Sequence, residues 1–252
     1  MLLPVGRIIN KFLSRLNIKV QYLDAYDKEP YPVEASPSDI EIIKYVRGKD
    51  NKNGKLTKCN EARLWAAISS VNNVVKNNIP GDIVECGVWR GGCSLAMALK
   101  LKELNSNKKI FLFDTFQGMT EPSVYDKKAY KKLNVLKKFN KLNKETHNEW
   151  CYASITDVKH QFDCFNLLDK VIFVEGDIRK TLINHSNLPS AISILRLDTD
   201  FHDSTESSMK NLFPLLEKNG ILLIDDYGCW EGVRKAVDDY FETNLTYKPM
   251  LW

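Results

Sequence analysis

The stretch Ile192-Ser193-Ile194-Leu195-Arg196-Leu197 runs straight into Asp198-Thr199-Asp200, and Gly220-Ile221-Leu222-Leu223-Ile224 runs into Asp225-Asp226. Short runs rich in leucine and β-branched residues read as buried strands of a parallel sheet. Each of these two ends in acids. In open α/β sheets, ligands sit just beyond the carboxyl ends of the strands. Four aspartates gathered there repel one another unless a cation or protons compensate. The two runs therefore decide for an α/β fold and set an electrostatic problem that its site must answer.

The same rhythm extends outward. Strands are expected at 82–86, 109–113, 170–174, 193–197 and 221–224. Helical spacing covers 61–77, 93–102, 204–217 and 230–242, with Pro80-Gly81 stopping the first of these. Such alternation implies a doubly wound, mostly parallel sheet with right-handed crossovers. Residues 1–55 are irregular and turn-rich, and are read as an N-terminal helical cap serving dimerisation or substrate binding. Within them Ser38 or Asp39 is placed to cap a helix running to Val46. Residues 56–252 form the main domain, with a long insertion over about 117–169.

Composition narrows the classes. A chain of 252 residues with 44% hydrophobic and 27% charged residues is an ordinary globular protein with a real core. Its net charge of +4 is too small for the basic footprint of a nucleic-acid binder. The six cysteines form no C-x-x-C pair and have no histidine at zinc-finger spacing. That disfavours a zinc site and suits a reducing, cytoplasmic compartment. No apolar stretch is long enough for a transmembrane segment. Residues 1–20 interleave apolar side chains with Arg7, Lys11 and Arg15, the pattern of an amphipathic helix. Such a helix packs on the domain or a second subunit in preference to a membrane surface.

The insertion carries eight lysines between 127 and 144, at 127, 128, 131, 132, 137, 138, 141 and 144. Two readings stand side by side: a solvated helix face, or a mobile basic lid that favours an anionic substrate, phosphorylated or nucleotide-linked.

The loop after the first strand reads Ile83-Val84-Glu85-Cys86-Gly87-Val88-Trp89-Arg90-Gly91-Gly92. Its glycines let backbone approach a ligand, and the following helix N-terminus favours a carboxylate or phosphate. The spacing is E-x-G-x-x-x-G-G, which is not the G-x-G-x-x-G of dinucleotide binders. Glu85 suits an amine or hydroxyl donor such as the amino group of S-adenosylmethionine. The second strand ends in Asp114-Thr115-Phe116, where an acid commonly accepts from ribose hydroxyls. After the third comes Gly176-Asp177, where an acid can accept from an adenine amino group. A tight turn without ligand is the competing reading of the glycine loop.

Hard cations such as Mg²⁺ take oxygen ligands. Asp198, Asp225 and Asp226 can supply three if the chain turns at Tyr227-Gly228, because consecutive strand residues point to opposite faces. A cation there lowers the pKa of a substrate hydroxyl, and Asp200 stands two residues on to take the proton. Helix capping is the competing role for Asp225-Asp226 and is preferred for Asp203. His202 is a candidate second base or substrate contact.

Six segments resemble one family: GDIVECGVWRGG, FLFDTFQGM, WCYAS, FVEGDIRKTL, LRLDTDFHDST and ILLIDDYGCWEGVRKAVDDYF. Together, from about Leu56 to Phe241, they are similar to the macrocin O-methyltransferases, the TylF/MycF/NovP-like enzymes. The resemblance implies a class I, Rossmann-like fold and an S-adenosylmethionine-dependent O-methyltransferase. It also implies a divalent metal, usually Mg²⁺, and a hydroxyl on a sugar, glycan precursor or glycosylated natural product as acceptor. By position, Asp198, Asp225 and Asp226 correspond to metal ligands and Asp200 to the general base. Glu85, Gly87, Trp89, Arg90, Gly91, Asp114, Thr115, Phe116, Gly118 and Asp177 fall in the cofactor-lining segments.

Residues 1–50 and the lysine-rich insertion match the family poorly, so the acceptor does not carry over. After the last helix only Thr246 to Trp252 remain for the C-terminal hairpin that completes the class I sheet. Either one strand is absent or a neighbouring subunit completes the edge, which points to a homodimer. A catalytically silent relative that binds cofactor or a partner is the alternative this shortened end raises. A nicotinamide-dependent oxidoreductase is disfavoured by the missing G-x-G-x-x-G.

Overall fold

Burial on both faces makes the strand runs pair side by side in the computed structural model, which describes residues 31–49, 51–52 and 54–244. In chain order the principal elements are α1 (Pro37–Val46), α2 (Glu61–Lys76), β1 (Asp82–Cys86), α3 (Gly92–Glu103), β2 (Ile110–Asp114), α4 (Val135–Leu142), α5 (Ile155–Asp163) and β3 (Val171–Glu175). They continue with α6 (Ile178–Thr181), β4 (Ile192–Leu197), α7 (His202–Leu212), β5 (Leu216–Ile224) and α8 (Glu231–Asn244). The sheet order is β3-β2-β1-β4-β5, and every neighbouring pair is parallel. This is the expected doubly wound α/β fold. The order reverses between β1 and β4, the place where such sheets open a crevice for ligands.

The elements follow from local chemistry. Ser36, not Ser38 or Asp39, caps α1: its side chain accepts from the Asp39 N–H while the Asp39 carboxylate accepts from the Ser36 N–H. Pro37 takes the first helical position, where its missing N–H costs nothing. Asn60 caps α2 in the same manner. Helix α7 starts at His202 and stops at Leu212, short of the expected Glu217, because Pro214 cannot continue it. The last strand accordingly begins earlier, at Leu216, and bends at Asn219, whose φ is 66°.

One face of the sheet packs Val84, Cys86, Phe113, Leu195 and Leu197 against Met209 and Leu212 of α7 and Val237 and Phe241 of α8. Each such burial contributes about 1.5–3 kcal/mol. A second, smaller cluster joins Val135 and Trp150 of the insertion to Phe201, Trp230 and Val233. The insertion is thus fastened over the strand ends. Its lysine-rich stretch is helical only over Val135–Leu142.

The described residues from Ala35 onward belong to one compact unit. The expected amphipathic helix over 1–20 and the expected strand over 246–252 lie outside the described residues. Among the described residues no helix is long and apolar enough to cross a membrane.

Candidate active site

The ends of the five strands are tied level by four successive backbone bonds. Gly176 N–H donates to Asp114 O, Gly87 to Phe113 O, Asp198 to Cys86 O and Asp225 to Leu197 O, all at 2.8–2.9 Å. Gly87 is obligatory in this arrangement. Its φ is +85°, and a Cβ there would stand 2.0 Å from the carbonyl oxygen of Asp198. Above the strand ends opens a cleft of about 330 Å³. Glu85, Gly87, Trp89, Asp114, Thr115, Gly118, Asp177, Asp198, Asp200, Asp225 and Asp226 all line it. Arg90, Gly91 and Phe116 do not line it. Arg90 donates to the Lys55 carbonyl at 2.8 Å, Gly91 is the N-cap of α3, and buried Phe116 lies 6.0 Å from the Phe173 ring.

Asp114 organises the loop that follows β1. Its Oδ2 accepts from the N–H groups of Val88 at 2.6 Å and Trp89 at 3.1 Å, and its Oδ1 accepts from Phe116 at 2.7 Å. Burial raises its pKa, and these bonds pull the other way. Trp89 and Phe116 both adopt φ of 50°, a left-handed conformation the loop imposes. Asp177 caps α6 and is gripped by the Arg179 guanidinium, which holds its carboxyl below the ordinary range against the effect of burial.

Beneath the cleft lies a buried hub. Arg196 reaches Glu85 on β1, Asp198 Oδ2 at 2.9 Å, Asp225 Oδ1 at 3.0 Å and Cys59 Sγ at 3.1 Å. Ser94 Oγ donates to the other oxygen of Glu85. Burial pushes the Glu85 carboxyl up to about 8, with Arg196 opposing. Arg63 from α2 adds a second cation on Asp225 at 2.5 Å. The neighbouring Cys93 thiol, with Arg196, brings Cys59 down to about 7 against the effect of burial.

Asp200 and Asp226 form a different group. Asp226 Oδ2 accepts from the Asp200 backbone N–H at 3.2 Å, and Asp200 Oδ1 accepts from Trp230 Nε1. Asp200 has φ of 61°, so the turn after β4 swings its carboxylate back into the cleft. Burial and the charge of Asp198 raise Asp200 to about 6. Burial and the charges of Asp200, Asp198 and Asp225 hold Asp226 well above the ordinary range. Among the described residues Asp226 has no ion-pair partner. A set of carboxylate oxygens in mutual repulsion suits a hard divalent cation. Asp198 and Asp226 fit that need. Asp225 fits it less well, because two arginines already compensate its charge. Among the described residues, the set of metal-ligand atoms lying within 4.8 Å of one another is that of Cys59, Asp198 and Asp225, with Asp226 outside it.

Sequence reasoning missed Arg196, Arg63, Cys59, Lys58 and Trp230, and it named Lys128 only as one of the insertion's eight lysines. Arg196 did carry a signal, since a charge inside an apolar strand must find partners. The others arrive from distant segments. His202 donates its N–H to Asp126 Oδ1 at 2.7 Å, and its ring pairs with Asp203 Oδ1 at 2.8 Å. The helix begins at His202 with Phe201 as N-cap, so Asp203 lies in its first turn and is not the cap.

The model of the Macrocin-O-methyltransferase (TylF) family matches residues 9–252. The 4'-O-methyltransferase of 8-demethyl-8-(2,3-dimethoxy-alpha-L-rhamnosyl)-tetracenomycin-C from Streptomyces olivaceus is 32% identical over 173 residues, covering 68% of this chain and 61% of that enzyme. This chain thus matches less than two thirds of that relative's length. Demethyldecarbamoylnovobiocin O-methyltransferase of Streptomyces niveus is 28% identical over 233 residues, 89% of this chain and 83% of the relative. Among solved structures, the O-methyltransferase NovP superposes with a TM-score of 0.63 at 25% identity, covering 95% of this chain and 90% of NovP.

Proposed function

Because the chain belongs to the macrocin O-methyltransferase family, we propose that it is an enzyme that transfers a methyl group from S-adenosylmethionine to a sugar hydroxyl, with a divalent cation such as Mg²⁺. The observation that carries this reading is Asp200, held in a left-handed turn by Trp230 and Asp226 inside the cleft that the β1–α3 loop also lines. With its carboxyl near 6, Asp200 is ionised at neutral pH and still basic enough to take a proton. A neutral alcohol attacks a methyl sulfonium poorly, so removing that proton as the bond forms lowers the barrier.

The loop residues Gly87, Val88 and Trp89, which line the cleft ahead of α3, suit the methionine end of the cofactor. The cleft wall of Asp114, Thr115, Gly118 and Asp177 suits its nucleoside. Asp114 already accepts from Val88, Trp89, Phe116 and Thr115, so a ribose hydroxyl would take the place of the longest of these bonds, that from Thr115 at 3.5 Å. Glu85 and Arg196 act beneath the site by holding Asp198 and Asp225 in place. Asp198 and Asp226 would hold the cation, with Asp225 sharing its carboxylate between it and the arginines. Bound there, a divalent cation supplies a Lewis acid that acidifies the acceptor hydroxyl. The same reading includes a homodimer, since among the described residues β5 pairs with β4 alone and its other edge is open.

Calorimetry with S-adenosylhomocysteine, followed by transfer of labelled methyl from S-adenosylmethionine to sugar acceptors, tests the proposal. Asp200→Asn should bind the cofactor normally and lose a factor of about 10²–10⁴ in turnover. Wild-type turnover in that variant overturns the base assignment.

A further inference from the structure

Three lysines from separate segments converge near Asp200: Lys58 and Lys128 line the cleft, and Lys138 is close enough to feel the charges of both and of Asp200. Lys128 Nζ stands 3.8 Å from the centroid of Trp230, the ring that bonds Asp200. Lys138 Nζ, on α4, stands 3.6 Å from Trp150, and the Trp150 and Trp230 rings are 6.2 Å apart. Lys58 Nζ lies 4.6 Å from the Trp89 ring and donates to Cys151 Sγ. Among the described residues none of the three has a carboxylate within ion-pair distance.

A solvated lysine face does not explain this placement. Lys127, Lys131, Lys132, Lys137, Lys141 and Lys144 are exposed, whereas Lys128 and Lys138 turn inward and are half-buried. Burial lowers Lys138, the charges of Lys58 and Lys128 add to the lowering, and Cys151 and Asp200 oppose it. The indole faces offset part of the cost of gathering these charges, at about 0.5–2 kcal/mol per contact. An anion offsets the rest. The diphosphate that links a sugar to its carrier brings two negative charges, which together with that of Asp200 balance the three lysines.

We propose that Lys58, Lys128 and Lys138 form a subsite for the diphosphate of an activated sugar, so that the methyl acceptor is a diphosphate-linked sugar and not a neutral glycoside. The inference rests on the methyl-transfer reading above and adds its substrate class. The diphosphate is shared by nucleoside diphosphate sugars and by sugars carried on a polyprenyl diphosphate.

The test uses the full chain saturated with S-adenosylhomocysteine, without divalent cations, titrated calorimetrically with thymidine diphosphate, farnesyl diphosphate and inorganic pyrophosphate. At least one should bind, more weakly as salt rises. Lys128→Ala and Lys138→Ala should each weaken it about tenfold while S-adenosylhomocysteine affinity stays unchanged. Tighter binding of thymidine diphosphate assigns a nucleotide carrier, and tighter binding of farnesyl diphosphate a lipid carrier. Absence of binding by all three, or equal binding by the lysine variants, overturns the subsite. Failure to bind S-adenosylhomocysteine counts against the methyl-transfer reading instead, and the same titrations on the unloaded protein still test the lysines.

Discussion

Asp200→Asn should make the protein more stable at neutral pH, the reverse of what removing a hydrogen-bonded acid usually does. The carboxyl moves from 3.8 to about 6 on folding, through burial first and then the charge of Asp198. Below the unfolded value both states hold the proton. Between the two values the folded state holds it and the unfolded state does not, so stability falls as pH rises. Above 6 the loss is complete and amounts to about 3 kcal/mol, from about 1.36 kcal/mol per unit. Asp200 keeps some surface open to the cleft, so this is the upper end. Asparagine never ionises. It retains an acceptor for Trp230 Nε1 and tolerates the φ of 61°. Weakening a charge-assisted bond to a neutral one takes back about 1 kcal/mol.

The net expectation is a gain of about 2 kcal/mol at pH 7.5, shrinking to about zero by pH 4.5, or about 4–8 °C in Tm at the higher pH. Urea unfolding followed by circular dichroism, in chelator at both pH values, reads it directly. Excess Mg²⁺ should then stabilise the parent more than the variant and narrow the gap. A gap that does not change with pH, or a variant less stable than the parent at pH 7.5, refutes the electrostatic account of the cluster.

Other perturbations test other parts. Arg196→Met strips the cation from Glu85, Asp198 and Asp225 and should cost about 3–5 kcal/mol in urea unfolding, part of which Glu85→Met on the same chain recovers. Gly87→Ala forces a side chain into the Asp198 carbonyl and should cost about 3 kcal/mol or more, seen as a lowered urea midpoint. Trp230→Phe keeps an aromatic ring but removes the bond that lowers Asp200, so the acid limb of the pH–rate profile for methyl transfer should move to higher pH. Chelation should stop transfer, and Mg²⁺ should restore it.

The fold was legible because each strand is a local event. The run over 192–197 needs only its own side chains to declare itself buried, and the acids beyond it only their adjacency. Strand ends were located within a residue or two, except where Pro214 ended α7 early and gave its last turn to β5. The positions that line the cleft were legible for the same reason, since strand ends in a parallel sheet meet at one edge. Arg90, Gly91 and Phe116 were not separable from their neighbours by pattern, because a motif marks a segment and not the direction of each side chain. Asp126 gave no signal either: it meets the His202 N–H only after the insertion folds back.

Charge balance was the part hidden from any local pattern. In sequence Asp198, Asp225 and Asp226 read as ligands of one cation and Asp200 as the base, yet the structure divides the four by a different line. Asp198 and Asp225 are held from below by Arg196, and Asp225 also by Arg63, which comes from a helix 162 residues earlier. Asp200 and Asp226 receive no such partner among the described residues, and theirs are the carboxyls pushed to about 6 and well beyond the ordinary range. The protein thus gives arginine partners to Asp198 and Asp225, though burial and Asp198 still raise Asp225, and leaves Asp200 and Asp226 in the same cleft without one among the described residues. A cationic methyl donor and a divalent cation would both be drawn to those acids. Lys58 and Lys128 line the same cleft, and among the described residues the three lysines have no ion-pair partner, the charges of Asp200 and Asp226 offsetting theirs only at longer range. Two cations at the acids would leave those lysines as the place where an anionic acceptor adds favourable charge. Lysines next to the base can orient such an acceptor, its anionic carrier held by Lys58 and Lys128 while its hydroxyl is presented to Asp200.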